Sequence, residues 1–228
     1  MTVIDPTISP LDLPAAEKAR MWAEDRLVLL KAATERRLIE RATQNGNGPA
    51  IGEPTVGAYV AFDVACTSPI QFSGLPPYQP SKIIAAGEDA FIVAFLFVNP
   101  TVDVASGFAI PPTTQLANRN FRVKLEELNI SDATVGANCG SPLQTGVFGA
   151  PAASLSAFVF QLSPSDPGPN PKLFEANVVV DIDGAVQPYA AFATNFFDVD
   201  DDPGFLFVPP VAPGWRHETP NRYLVYSK

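Results

Sequence analysis

Nine consecutive apolar residues, Ala90–Val98 (AFIVAFLFV), constrain the fold of this chain more than any other segment. Aromatic and β-branched residues dominate the segment, which favours a β-strand. Side chains alternate between the two faces of a strand, and here both faces are apolar. Burying a large apolar side chain stabilises a protein by about 1.5–3 kcal/mol, so neither face is expected to contact water. The segment therefore predicts a covering layer on each side. The N-terminal helix, a long loop and a neighbouring subunit are the candidates for the second layer.

The region 14–44 is predicted to form one long helix. Asp12 is a candidate N-cap, Pro14 lies near the first turn, and neither Gly nor Pro follows until Gly46. The segment 45–49 (NGNGP) ends the helical pattern. It divides the chain into an N-terminal helical arm, residues 1–48, and a β domain, residues 49–228.

One apolar stripe runs along this predicted helix. Its members recur at three- and four-residue steps and include Ala23, Leu27, Leu30 and Leu38. The stripe has three interpretations: it packs on the core of its own chain, it packs on another subunit, or it touches a membrane, which the interspersed acidic residues disfavour. We take the first two further. Under the second interpretation these four residues are the predicted self-association site.

The sequence after Gly48 has the composition and residue pattern of a β protein. Short β-branched and aromatic runs alternate with clusters rich in Pro, Gly, Ser and Asn. The candidate strands are 55–66, 83–85, 90–98, 121–128, 154–162, 176–182, 185–193, 205–208 and 223–226, with a tight hairpin turn at Asp183-Gly184. The predicted fold is an all-β, antiparallel β-sandwich of jelly-roll or immunoglobulin-like type, preceded by one long N-terminal α-helix.

Most of the familiar chemical motifs are missing from the sequence. It has no phosphate-binding glycine loop, no nucleophile elbow and only one His, His217, so a Ser-His-Asp triad has a single candidate base. Cys66 and Cys139 are the only cysteines, too few with one His for a structural zinc site. Glu126 and Glu127 are adjacent on a predicted strand, so they point to opposite faces and cannot flank one glycosidic bond. The sequence therefore predicts no enzyme and no cofactor.

Charge and hydropathy limit the partners. The formal net charge is −9, which argues against nucleic acid as a main partner. No apolar run is long enough to span a bilayer, and residues 1–20 lack the apolar core of a secretion signal. We expect a location in the cytoplasm, or on a particle assembled there, and no membrane partner.

The function predicted from these features is a non-enzymatic structural protein. It would associate with copies of itself or dock on a larger particle, as a capsid-, tail- or filament-type subunit, through its helical arm and apolar sheet face. One alternative is a Ca²⁺-assisted, lectin-like ligand-binding module, with Asp198, Asp200 and Asp202 as candidate ligands and Tyr78 and Trp215 as eligible stacking residues. The other alternative is a hydrolase with an unrecognised carboxylate site.

Overall fold

The protein is mostly β-sheet with one long N-terminal helix. The computed structural model describes residues 13–44, 62–98, 100, 110–138, 143–183, 189–192, 195–197 and 221–228. The side chains of residues 33–44, 63, 189–192 and 195–197 lie outside that description. The predicted strand 205–208 and the helix-ending segment 45–49 also lie outside it. The division into an N-terminal arm and a β domain at residue 48 therefore stays a prediction.

The long helix, α1, spans Ala15–Gln44, one residue shorter than predicted. The carbonyl of Pro14 accepts hydrogen bonds from the amides of Glu17 (2.9 Å) and Lys18 (3.1 Å), which places Pro14 at the start of the first turn. Thirty residues at about 1.5 Å each make a rod of about 45 Å.

The first sheet has five described strands around the predicted apolar strand. They are β1 (Phe62–Thr67), β2 (Ile70–Gln71), β4 (Ala90–Val98), β8 (Leu155–Leu162) and β11 (Asn195–Phe197). The strand β4 pairs with β8 along its whole length on one side and with β1 and β2 on the other. Both β8 and β1 are antiparallel to β4, whereas β11 is parallel to β1.

The second sheet has seven described strands. They are β3 (Ile83–Ala85), β5 (Asn120–Asn129), β6 (Thr134–Val135), β7 (Gln144–Val147), β9 (Lys172–Ile182), β10 (Tyr189–Phe192) and β12 (Asn221–Tyr226). The strand β9 is central, with β5 on one side and both β12 and β10 on the other. A short helix, α2 (Pro112–Gln115), precedes β5.

Both faces of β4 are buried, which confirms the expectation from its sequence. The even-numbered side chains, such as Ile92 and Leu96, join residues of the second sheet in one apolar cluster. The odd-numbered side chains, such as Phe91 and Phe95, join residues of α1 in another. Of the three candidates for the second covering layer, the N-terminal helix is the one found, and this burial needs no neighbouring subunit.

A buried polar link joins the two sheets where β1 ends. The Nδ2 of Asn221 on β12 donates to the carbonyl of Thr67 (2.7 Å), and its Oδ1 accepts from Oγ of Ser68 (3.2 Å). The Thr67 hydroxyl in turn accepts from the amide of Val93 (3.0 Å). These buried polar groups are therefore satisfied by one another, as burial requires.

The sequence prediction missed several pairings. The strands β2, β6, β7 and β11 have two to four residues and carried no recognisable pattern. The pairs β1–β11 and β3–β12 are parallel, so the sheets are not wholly antiparallel. The strands β9 and β10 form the expected antiparallel pair, but Ile182 lies opposite Tyr189. The predicted two-residue turn at Asp183-Gly184 is therefore wrong, because six residues connect the strands.

Candidate functional site

The helical stripe predicted for self-association lies against the chain's own sheet. Ala23 and Leu30 are buried in the cluster that contains Phe95 of β4, and Leu27 packs partly against it. The side chain of Leu38 lies outside the description. Residues that are buried within one chain are not available to a second copy in this arrangement. Ala23 and Leu30 of the helical arm are thus covered by the first sheet of the same chain, and self-association through the stripe stays a prediction.

A row of apolar side chains crosses the outer face of the second sheet. We call Ile83, Leu224, Leu173 and Ile130 the apolar row. Leu224 on β12 lies directly opposite Ile83 on β3 and Leu173 on β9. The amide of Ile130, just after β5, donates to the carbonyl of Leu173 (2.9 Å) and continues the β5–β9 register. The exposed fractions are 59% for Ile83, 36% for Leu224 and 39% for Ile130. Single exposed apolar residues are ordinary, but a contiguous row on neighbouring strands marks a candidate interface.

The charges beside the apolar row balance. Three ion pairs lie on the same outer face: Arg222–Glu175 (3.1 Å), Lys124–Glu126 (2.8 Å) and Arg122–Asp181 (3.6 Å). The chain as a whole carries a net charge of −9. These three pairs add no net charge to the face, so they do not oppose its contact with a second copy.

One carboxylate, Glu127, is buried between the sheets. Its oxygens accept from the Tyr223 hydroxyl, from the amide of Asn138 (2.9 Å) and from the Asn138 side chain (3.0 and 2.9 Å). Burial and the adjacent Glu127 carboxylate raise the pKa of Tyr223 above its ordinary value, so the phenol stays a donor. Glu126 faces the other way and pairs with Lys124, as predicted from strand alternation. Donors of the same chain thus occupy the acceptor positions of Glu127. Its carboxylate holds the turn at 136–138 against β5.

A groove lies between α1 and the proline-rich loop that follows β2. Its volume is about 260 Å³, and Trp22, Tyr78, Lys18 and Arg26 are among its lining residues. Trp22 Nε1 donates to the Tyr78 carbonyl (3.3 Å). The Arg26 guanidinium lies 5.3 Å from the Trp22 ring centroid, and Lys18 Nζ lies 6.0 Å from that of Tyr78. The Trp22 indole N–H and the rings of Trp22 and Tyr78 are therefore already in contact with groups of the same chain.

No metal-binding cluster of three or more His, Cys, Asp or Glu side chains occurs among the described residues. The candidate calcium ligands Asp198, Asp200 and Asp202 lie outside them, as do His217, Trp215 and Cys139. Cys66 is a free, buried thiol, and burial raises its pKa to about 12. A thiol with that pKa is protonated at neutral pH and is a poor nucleophile.

The apolar row was missed by reasoning from sequence. Alternation along β12 (NRYLVY) does place Leu224 on the face opposite Tyr223 and Val225. However, nothing in the sequence shows that Ile83, Leu173 and Ile130 become its lateral neighbours, since they are far apart along the chain.

Comparisons with known proteins identify no family. No family model matches the chain, and no curated protein matches it. Among solved structures, it is similar to a β-glucosidase from Listeria innocua in complex with gluconolactone, at 11% identity and a TM-score of 0.28. That alignment covers 58% of this chain and 15% of the glucosidase, so the chain spans less than a sixth of that protein.

Two other solved structures show the same weak similarity. One is the CARDB domain of the PF1109 protein from Pyrococcus furiosus in complex with di-metal ions (11% identity, 75% of this chain and 92% of that chain, TM-score 0.29). The other is Spo0M, a sporulation control protein from Bacillus subtilis (10% identity, 59% and 49%, TM-score 0.22). TM-scores below 0.3 mean that the backbones do not superpose as one fold, so no function is transferred from these proteins. Neither described helix has the length and apolar content that a membrane span requires.

Proposed function

We propose that this protein is a non-enzymatic structural subunit that associates with copies of itself or within a larger particle. In this proposal the two sheets form a β-sandwich, with α1 as a third layer, and the outer face of the second sheet is the contact surface. The location proposed for it remains the cytoplasm or a particle assembled there, with no nucleic acid, membrane or cofactor as partner.

The apolar row is the observation that carries the proposal. Four apolar side chains from four separate segments lie side by side on one face of the second sheet, and three ion pairs lie beyond them. Interfaces combine apolar contacts with polar ones, and this face carries both. A second copy is the partner that fits best. The three ion pairs carry no net charge, so they do not oppose the meeting of two copies of this face, although the chain as a whole is acidic.

The buried carboxylate supports the non-enzymatic part of the proposal. A catalytic acid needs contact with a substrate, yet Glu127 is buried and hydrogen-bonded to Asn138 and Tyr223. This arrangement favours a structural role for Glu127 over the hydrolase alternative.

Light scattering on the full chain tests the proposal. We expect a mass that is a multiple of 24.3 kDa. Ile83→Lys places a charge in the apolar row and should lower the mass of the assembly. Val147→Lys is the matched control, because Val147 is 60% exposed on β7, away from the row. A wild-type monomer at all concentrations would overturn the proposal, and equal behaviour of the two variants would remove the apolar row from it.

Ligand binding is the second candidate function, favoured by the groove beside Trp22 and Tyr78. Aromatic faces with nearby charged groups suit a sugar ring. A titration with Ca²⁺ and a panel of monosaccharides, monitored by isothermal titration calorimetry, tests it. A heat of binding that is lost in Trp22→Phe would support this candidate, and no heat with any ligand would reject it.

A further inference from the structure

The two sheets end on strands whose outer edges differ. On β3, the amide and carbonyl of Ile83 and of Ala85 point away from β12, because Lys82 and Ala86 make the bonds to that strand. The Ser81 hydroxyl donates to the Ile83 carbonyl (2.8 Å) and accepts from its amide (3.1 Å). The side-chain amide of Gln71 does the same for Ala85 (2.8 and 2.9 Å). All four outward backbone groups of β3 are therefore satisfied by side chains, which closes this edge to another strand.

The first sheet ends at β8, and most outward backbone groups of β8 have no partner among the described residues, in contrast to those of β3. The amide of Val98 donates to the carbonyl of Ser154 (2.9 Å), so the even-numbered residues of β8 bond to β4. The amides and carbonyls of Leu155, Ala157, Val159 and Gln161 consequently point outward. Within the described ranges, one side chain reaches this edge: Gln144 Nε2 donates to the Val159 carbonyl (2.8 Å). Among the described strands, β4 alone pairs with β8.

The composition of β8 also suits strand pairing. Its sequence, LSAFVFQL, has eight residues and no charge. Natural edge strands are usually protected by charges, prolines, bulges or brevity, and β8 has none of these. Its odd-numbered side chains lie on the side of α1, whereas Phe158 and Phe160 lie between the sheets.

We propose that β8 pairs antiparallel with β8 of a second copy across a twofold axis, so that the two five-stranded sheets become one continuous sheet. This inference rests on the proposed self-association and adds a second contact surface to the apolar row. Twofold pairing of identical strands keeps like faces together: α1 lies beside the α1 of the other copy, and core-facing side chains lie beside core-facing side chains. An uncharged strand is also the part of an acidic chain that approaches its own copy without repulsion.

Gln144 competes with this pairing. Its amide occupies the carbonyl of Val159, near the middle of β8, so an incoming strand must displace it. A twofold dimer displaces two such side chains. Each hydrogen bond contributes a small net stabilisation, so Gln144→Ala is expected to tighten association on the order of tenfold.

Sedimentation of the full chain over a range of concentrations tests the inference. Gln161→Pro removes an outward amide and blocks strand addition, while the bonds from β8 to β4 stay intact. The matched control is Gln161→Thr, which keeps the amide at the same exposed position. We expect Gln161→Pro to weaken association at least tenfold and Gln161→Thr to leave it unchanged.

Each outcome separates the inference from the proposed function. If both variants associate like the wild type, β8 is not the interface, but self-association stands. If the wild type is a monomer throughout, both are overturned. Should Gln161→Pro fail to fold, amide exchange of the wild type decides: the amides of Ala157 and Gln161 must become protected as the concentration rises. Protection in a 24.3 kDa monomer would mean that a segment of the same chain covers β8, and this would overturn the inference.

Discussion

Replacing Leu30 by Ala tests whether α1 is a layer of the chain's own core. Leu30 is 1% exposed and lies in the apolar cluster between α1 and the first sheet. The adjacent Leu29 is 46% exposed on the same helix. The two substitutions are chemically identical and change helix propensity equally, so their difference isolates the contact with the sheet.

The expected magnitude follows from the burial of Leu30. Leu→Ala removes three carbon atoms, and at about 0.8 kcal/mol for each buried CH₂ the transfer contribution alone is about 2.4 kcal/mol. The cavity left behind raises the cost, so we expect Leu30→Ala to lower the free energy of unfolding by about 3 kcal/mol. Leu29→Ala should change it by less than about 0.5 kcal/mol.

Urea unfolding followed by circular dichroism, at two protein concentrations tenfold apart, measures both effects. If Leu30 packs on its own sheet, the loss is the same at both concentrations, since an intramolecular contact does not depend on mass action. A loss that shrinks on dilution would mean that Leu30 contacts a second copy, because the dilute wild-type chain has already lost that contact. Equal effects of Leu29→Ala and Leu30→Ala would refute the packing of α1 described here.

Three further outcomes are expected. Glu127→Ala leaves the donors of Asn138 and Tyr223 buried without their acceptor, so the free energy of unfolding should fall by about 3 kcal/mol, with Glu126→Ala as a nearly neutral control. Gly136→Ala should cost about 2 kcal/mol, because a Cβ there would overlap the Glu127 carboxylate; an unchanged melting temperature would contradict this. The raised pKa of Cys66, about 12 when folded against 9.0, means that the folded chain holds this proton while the unfolded chain loses it. Stability of the wild type relative to Cys66→Ala should therefore fall by about 1.4 kcal/mol per pH unit between pH 9.0 and about pH 12, and a constant difference would refute this.

The sequence predicted those elements that the periodicity of neighbouring residues defines. The run Ala90–Val98 predicted a strand buried on both faces, and helical periodicity predicted α1 to within one residue. The alternation of Glu126 and Glu127 predicted their opposite faces, and the structure pairs one with Lys124 and buries the other. In each case the period of the side chains is itself the physical signal.

The remaining features depend on which distant segments become neighbours. The strands β3 and β12 are more than 130 residues apart along the chain and pair in parallel, which no local turn specifies. The apolar row and the closed edge of β3 both follow from that pairing. Gln71 and Ser81 appear in the sequence as ordinary polar residues, and their role appears only when the backbone of Ile83 and Ala85 is placed beside them.

The two proposed contact surfaces belong to different sheets, and this has a consequence for the size of the assembly. A chain with one twofold contact stops at a dimer. A chain with two twofold contacts binds a different copy at each, so it forms a closed tetramer when the axes cross at right angles and an extended array when they do not cross. Ile83→Lys and Gln161→Pro should therefore each reduce a larger assembly to a dimer, and the double variant should be a monomer. A dimer that persists in the double variant would place its interface on a third surface.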